Sequence, residues 1–143
     1  MKIRQLSLFI ENKPGHLRAA CRLLADAGID VKTMALADTE QFGILRFIIK
    51  DWQKAVQVFE HAGLVVKESD LIAVMIDDRP GGLADLLDSI DKASLNVEYM
   101  YGFSSRIEGK AVMLFRFNDP DLALRALQEN HVAILSDEDL FRN

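Results

Sequence analysis

Cysteine is almost missing. Cys21 stands alone, which excludes an internal disulfide and points to a reducing compartment. It lies in Ala19-Ala20-Cys21-Arg22-Leu23-Leu24, an apolar helical pattern with no neighbouring base, and reads as a small buried hydrophobe rather than a nucleophile. Surplus positive charge is missing too. The 17 Lys and Arg residues are outnumbered by 22 Asp and Glu, a net charge of −5. With no basic stripe, this argues against a nucleic-acid partner. No apolar run reaches the roughly 18 residues that span a membrane. The N-terminus lacks the charged, apolar, small-residue order of a secretory signal. A cytoplasmic protein with no membrane partner is expected. His16, His61 and His131 are scattered and share no metal-ligand spacing, so neither a metal nor a cofactor is expected.

What is present is a repeat. Ile10-Glu11-Asn12-Lys13-Pro14-Gly15-His16-Leu17 returns as Ile76-Asp77-Asp78-Arg79-Pro80-Gly81-Gly82-Leu83, a shift of 66 residues. The same shift carries Ala27-Gly28-Ile29-Asp30-Val31 onto Ala93-Ser94-Leu95-Asn96-Val97 and Met34 onto Met100. After a longer loop in the second copy the shift becomes 68 and carries Phe47 onto Phe115. A repeat constrains the fold more than any local signal. Apolar residues at 50% and charged residues at 27% are globular values, so each copy is expected to fold as one small domain, 1–68 and 69–143. Units of this size are near the lower limit for an independent core, so shared interfaces are expected.

Within the first copy, Leu6–Ile10 is a β-rich run stopped by Asn12-Lys13-Pro14-Gly15. From His16 to Ala27 the apolar residues Leu17, Ala20, Cys21, Leu24 and Ala27 recur every three or four positions, which predicts one inward helix face. Strands follow at Val31–Ala37 and Ile44–Ile49. A helix follows over Trp52–Ala62, with Ala55, Val56, Phe59 and Ala62 inward, and then a strand at Leu64–Val66. The second copy repeats the order. Its strands are Leu71–Ile76, Val97–Phe103, Ala111–Phe117 and Val132–Leu135. Its helices are Leu83–Ala93 and one from Pro120 to about Asn130. Leu83, Leu86, Leu87 and Ile90 face inward. This predicts an α+β fold of two ferredoxin-like βαββαβ units side by side, each an antiparallel sheet with its helices on one face. A short, stiff joint is expected near Glu68-Ser69-Asp70.

Each Pro-Gly pair sits where a strand hands over to a helix. The first N–H groups of a helix lack internal partners and carry partial positive charge, so such an end suits a carboxylate or phosphate. Glycine lets a ligand approach the backbone. The two stretches, Asn12-Lys13-Pro14-Gly15-His16-Leu17 with Gly28-Ile29-Asp30-Val31 and Asp78-Arg79-Pro80-Gly81-Gly82-Leu83 with Ser94-Leu95-Asn96-Val97, resemble the ACT domain, a regulatory amino-acid-binding module. The resemblance covers nearly the whole chain. It implies a ligand at the seam of two paired domains, held by the Pro-Gly loop of one against the second strand of the other. Carried over, one site would use Asn12, Pro14, Gly15, His16 and Leu17 with the strand around Tyr99 and Met100. The other would use Asp78, Pro80, Gly81, Gly82 and Leu83 with the strand around Thr33 and Met34. An amide at Asn12 can both donate and accept, whereas a carboxylate at Asp78 only accepts, so the Asn12 loop is expected to bind more tightly.

The resemblance implies a non-catalytic regulator that binds a free amino acid, and no catalytic residue is assigned. A regulatory subunit of an amino-acid biosynthetic enzyme is the alternative. A small phosphatase of the same fold is a further one. It would need an arginine in the loop after the first strand, where Arg79 stands but Lys13 replaces it in the first copy. Phe115 and Phe117 are weak candidates for RNA stacking against an acidic background. The sheet face away from the helices is richer in apolar residues than an uncovered face should be, which suggests a homodimer packing sheet on sheet. An enzyme or regulator that responds to the bound amino acid is a further expected partner.

Overall fold

The computed structural model describes residues 1–142. By internal contact the chain divides into one unit of Arg4–Ser69 and a second made of Met1–Ile3 with the chain from Asp70 onward.

The first unit carries β1 (Ile3–Glu11), α1 (His16–Asp26), β2 (Thr33–Thr39), β3 (Phe42–Ile48) and α2 (Trp52–His61), then the opening residues of β4 (Val66–Ile76). β1 and β2 both pair antiparallel with β3, so β3 lies between them. Alternation along β1 turns Leu6 and Leu8 to the helices and Ser7 and Phe9 away. Leu6, Leu8, Leu45 and Phe47 pack with Ala20, Leu24, Ala55 and Phe59 into one core, with the Phe47 and Phe59 rings stacked at 5.8 Å. Cys21 packs half-buried against this core, as a small hydrophobe would. Leu17, expected inward, is exposed in the first turn of α1. Ala62 is likewise exposed, just past the end of α2.

The second unit repeats the plan with the rest of β4, α3 (Gly82–Lys92), β5 (Val97–Gly102), β6 (Ala111–Phe117), α4 (Pro120–Glu129) and β7 (Ile134–Leu135). β4 pairs with β6 on one side and β7 on the other, and β5 pairs with β6, all antiparallel. Ile72, Val74, Phe115 and Phe117 pack against Leu86, Ile90, Ala123 and Leu127. Leu87 is exposed, one position off that inward face. Each unit is a ferredoxin-like α+β fold.

Two features depart from the expectations. The strands expected at Leu64–Val66 and Leu71–Ile76 are one continuous strand, β4, so the joint near Glu68-Ser69-Asp70 lies within a strand. None of those residues is glycine or proline, so nothing breaks the extended backbone. Glu68 pairs with Arg4, while Asp70 meets Lys2 through its carboxylate and accepts from Arg116 Nη1 through its carbonyl. A short helix, α5 (Asp137–Phe141), follows β7 and packs against it. The sequence announces it by Ser136 and Asp139 at capping-box spacing, a signal the periodicity passes over. Among the described residues no helix is long and apolar enough to cross a membrane.

Candidate functional site

The two Pro-Gly turns have the same backbone. Gly15 is the N-cap of α1 at φ 88°, ψ −17°, and Gly81 is the N-cap of α3 at φ 87°, ψ −11°. This left-handed conformation is cheap only for glycine. In each turn the N-cap carbonyl accepts the first helical bond at 2.9 Å, from Ala19 N–H in one and Asp85 N–H in the other. Each turn is closed by a matching pair of short bonds, from Lys13 N–H to the Glu11 carbonyl and from Arg79 N–H to the Asp77 carbonyl. Neither glycine has a side chain to cap the helix, and the loop itself takes only the first helical N–H, from His16 to the Lys13 carbonyl at 3.3 Å and from Gly82 to the Arg79 carbonyl at 3.0 Å.

The surroundings differ. At the first turn a Cβ added to Gly15 would meet nothing within 4 Å, and the first turn of α1 holds no acidic residue. Asn12 is tied to the turn between β2 and β3: its N–H donates to the Gln41 carbonyl at 2.9 Å and its Nδ2 to the Glu40 carbonyl at 3.2 Å. Lys13 turns back to Glu11 at 2.8 Å. That contact holds the Glu11 carboxyl below its ordinary range and raises the Lys13 ammonium.

At the second turn Arg79 folds over the glycine. Its Nη1 lies 3.4 Å from where a Gly81 Cβ would stand and donates to the Pro80 carbonyl at 3.1 Å, while its Nη2 reaches Asp85 at 2.9 Å. Asp85, in the first turn of α3, raises the Arg79 pKa further, with Asp77 adding to it. Asp78 is paired with Arg106 and Asp77 with Lys110, both from the segment between β5 and β6. Gly82 is buried, and a Cβ there would stand 2.0 Å from the Asp77 carbonyl oxygen. That glycine serves close backbone packing within the unit.

The resemblance pairs each loop with the strand of the other unit, and within a single unit the two stand apart. Met34 and Leu6 both pair with Phe47, whereas Asp38 and Ile10 both pair with Gly43. Met34 therefore lies four residues from Asp38, at the end of β2 beside the Asn12 loop, about 13 Å at 3.3 Å per residue, and Thr33 one residue further. Met100 and Ile72 share Phe115 in the same way, so Tyr99 and Met100 lie equally far from the Asp78 loop of their own unit. Thr33 is buried, Met34 exposed, and Tyr99 and Met100 half-buried.

The residues that the first unit brings to its own Pro-Gly loop are others. A cavity of about 190 Å³ lies between that loop and the far end of β2, lined by Asn12, Lys13 and Leu17 with Leu36, Asp38 and Gly43. The strand register would have identified them. The end of β2 that meets the end of β1 is its C-terminal one, because both strands run antiparallel to β3.

A profile of ACT domain pairs matches residues 1–143. A crystal structure of protein BT0572 from Bacteroides thetaiotaomicron is 31% identical over 100% of this chain and 98% of that one, with a TM-score of 0.91. The ligand-free regulatory subunit of aspartate kinase from Thermus thermophilus is 18% identical, covers 90% of this chain and 93% of that one, and has a TM-score of 0.64. The corresponding subunit from Thermus flavus is 17% identical over 92% and 94%, with a TM-score of 0.62. At such identities these two subunits attest the fold alone. No curated relative matches. With a family profile spanning every residue, two ferredoxin-like units and a duplicated Pro-Gly helix entry, the chain belongs to the family of ACT domain pairs.

Proposed function

We propose that this protein is a non-catalytic regulator that binds a free α-amino acid at its first Pro-Gly turn. The observation that carries this is the uncovered left-handed Gly15 at the start of α1, with no acidic residue in the first helical turn. The ligand carboxylate takes the outward N–H groups of that turn, and Asn12 flanks it. The resemblance stated above would set a strand of a paired domain, around Tyr99 and Met100, against the other side of the ligand. Membership of the ACT domain pairs supports a regulatory ligand-binding role. In this proposal the second turn contributes less, since the Arg79 guanidinium lies over Gly81 and is paired with Asp85.

Arg79 also bears on catalysis. It is the arginine that phosphatase chemistry would require, and its pairing with Asp85 and Asp77 supports a chain with no reaction of its own. Regulation then works by linkage: an amino acid that binds one arrangement better shifts the population, and a partner responds to the shift. In this proposal the partner is an enzyme or regulator of amino-acid metabolism, in line with the aspartate kinase regulatory subunits that share the fold. A second copy of the chain belongs to the same proposal.

A thermal-shift screen of the twenty amino acids tests the site. A ligand that binds only the folded protein raises the melting temperature, by an increment that grows with concentration. Two or three charge-assisted hydrogen bonds, less the cost of immobilising the ligand, correspond to a Kd in the micromolar to millimolar range, about −8 to −4 kcal/mol. Gly15→Asp puts a carboxylate at the seat and should abolish the shift, while Gly81→Asp should leave it. A shift that survives Gly15→Asp and disappears in Gly81→Asp would move the site to the second turn.

A further inference from the structure

The cavity beside the first turn bears on which amino acid is bound, provided that the amino-acid-binding function proposed above holds. Its walls are Leu17, from the first turn of α1, and Leu36, from β2, with Ile10 and Ala37 completing them. Its floor is Gly43. A Cβ there would stand 3.1 Å from Leu36 Cδ1 and 3.6 Å from Ile10 Cγ1, so glycine at 43 keeps the space open. Leu17 and Leu36 are 38% and 52% exposed, so apolar surface is left uncovered on both sides of the opening.

The polar groups at the rim are engaged with the protein. Lys13 pairs with Glu11, Asn12 Nδ2 donates to the Glu40 carbonyl, and Asp38 Oδ1 accepts from Glu40 N–H at 2.8 Å. These groups stand exposed at the rim, while the walls within are leucine, isoleucine and alanine. An apolar ligand side chain needs only to displace water from leucine surface.

We propose that this cavity receives the side chain of the bound amino acid, and that the effector is an aliphatic or thioether amino acid of the valine, leucine, isoleucine and methionine class. Leu17 joins the two halves of the site, since its backbone lies in the turn that takes the carboxylate and its side chain lines the cavity. Leu36 sets selectivity from the opposite wall.

Isothermal titration of the full chain with leucine, isoleucine, valine, methionine, alanine, serine, aspartate and lysine tests this. At least one of the first four should bind about tenfold or more tightly than alanine, as methylenes buried in an apolar pocket require. Leu36→Gln, at an exposed position that should leave the fold intact, should reduce that preference, weakening leucine more than alanine. Gly43→Val should fill the floor and weaken leucine most. Its circular dichroism and melting temperature are read alongside, and Leu36→Gln decides the matter if Gly43→Val does not fold. Tight binding of serine, aspartate or lysine with none of leucine would overturn the cavity assignment and leave the regulatory function standing. No binding of any amino acid in the screen or the titration would overturn both.

Discussion

Gly15 and Gly82 belong to the same repeated turn and are glycines for opposite reasons. Gly15 sits at φ 88° in open space, so its lack of a side chain satisfies backbone geometry and leaves the helix end approachable. Gly82 has its would-be Cβ 2.0 Å from the Asp77 carbonyl oxygen, so its lack of a side chain satisfies packing. Gly82→Ala should therefore cost about 2–3 kcal/mol, the range for forcing atoms into filled space. Gly15→Ala should cost about 1–2 kcal/mol, from the left-handed backbone alone. Urea midpoints of the two variants give the comparison. An unchanged midpoint for Gly82→Ala would mean that the turn relaxes freely. His16 aligns with Gly82 in the repeat, but its exposed side chain shows that the first unit does not pack its strand end this closely.

At the scale of the element, α5 depends on one reciprocal contact. Ser136 N–H donates to Asp139 Oδ2 at 2.9 Å, and Asp139 N–H donates back to Ser136 Oγ at 3.3 Å. The Ser136 backbone N–H, then its hydroxyl, hold the Asp139 carboxyl below the usual Asp range. The folded pKa is thus below the unfolded one. The cap's contribution is fully present above the unfolded value and disappears as pH falls through the folded one. The Ser136 amide resonance should follow a single carboxylate titration with an acid-shifted midpoint, and Asp139→Asn should remove it. A midpoint at or above the free Asp value would show that the cap does not form in solution. β4 gives the complementary lesson. A polar run without glycine or proline continues a strand, because cross-strand partners satisfy its side chains while the backbone stays extended.

For the molecule as a whole, apolar excess on the outer sheet faces first suggested a second copy. Much of it is buried within one chain: Ile48, Leu71, Ala73, Val112 and Leu114 are 0–3% exposed. What stays open on the outer face of the first unit is Phe9, which pairs in register with Ile44, and Phe42 at the end of β3. These two rings are 57% and 49% exposed. The proposed homodimer rests on this patch. Light scattering at micromolar concentration should give twice the chain mass of 16.1 kDa, and Phe9→Asp should shift it toward one chain. A wild-type mass of one chain would remove the dimer from the proposal and leave the ligand site untouched.

The sequence by itself determined the duplication, the order of elements in each copy apart from α5 and the fusion of two strands into β4, and the two Pro-Gly helix entries. Each of these rests on chain-local physics: periodicity, the fixed φ of proline and the left-handed freedom of glycine. The sequence already separates the two turns by Asn12 against Asp78, and only the tertiary structure decided what surrounds each glycine. Arg79 reaches Asp85 six positions along, and Arg106 reaches Asp78 from another loop, contacts that depend on how the chain folds back. The same holds for the cavity of Leu17, Leu36 and Gly43, residues far apart in sequence that come together only because β1 and β2 share β3 as a partner. Register is a property of the sheet, and no single strand carries it.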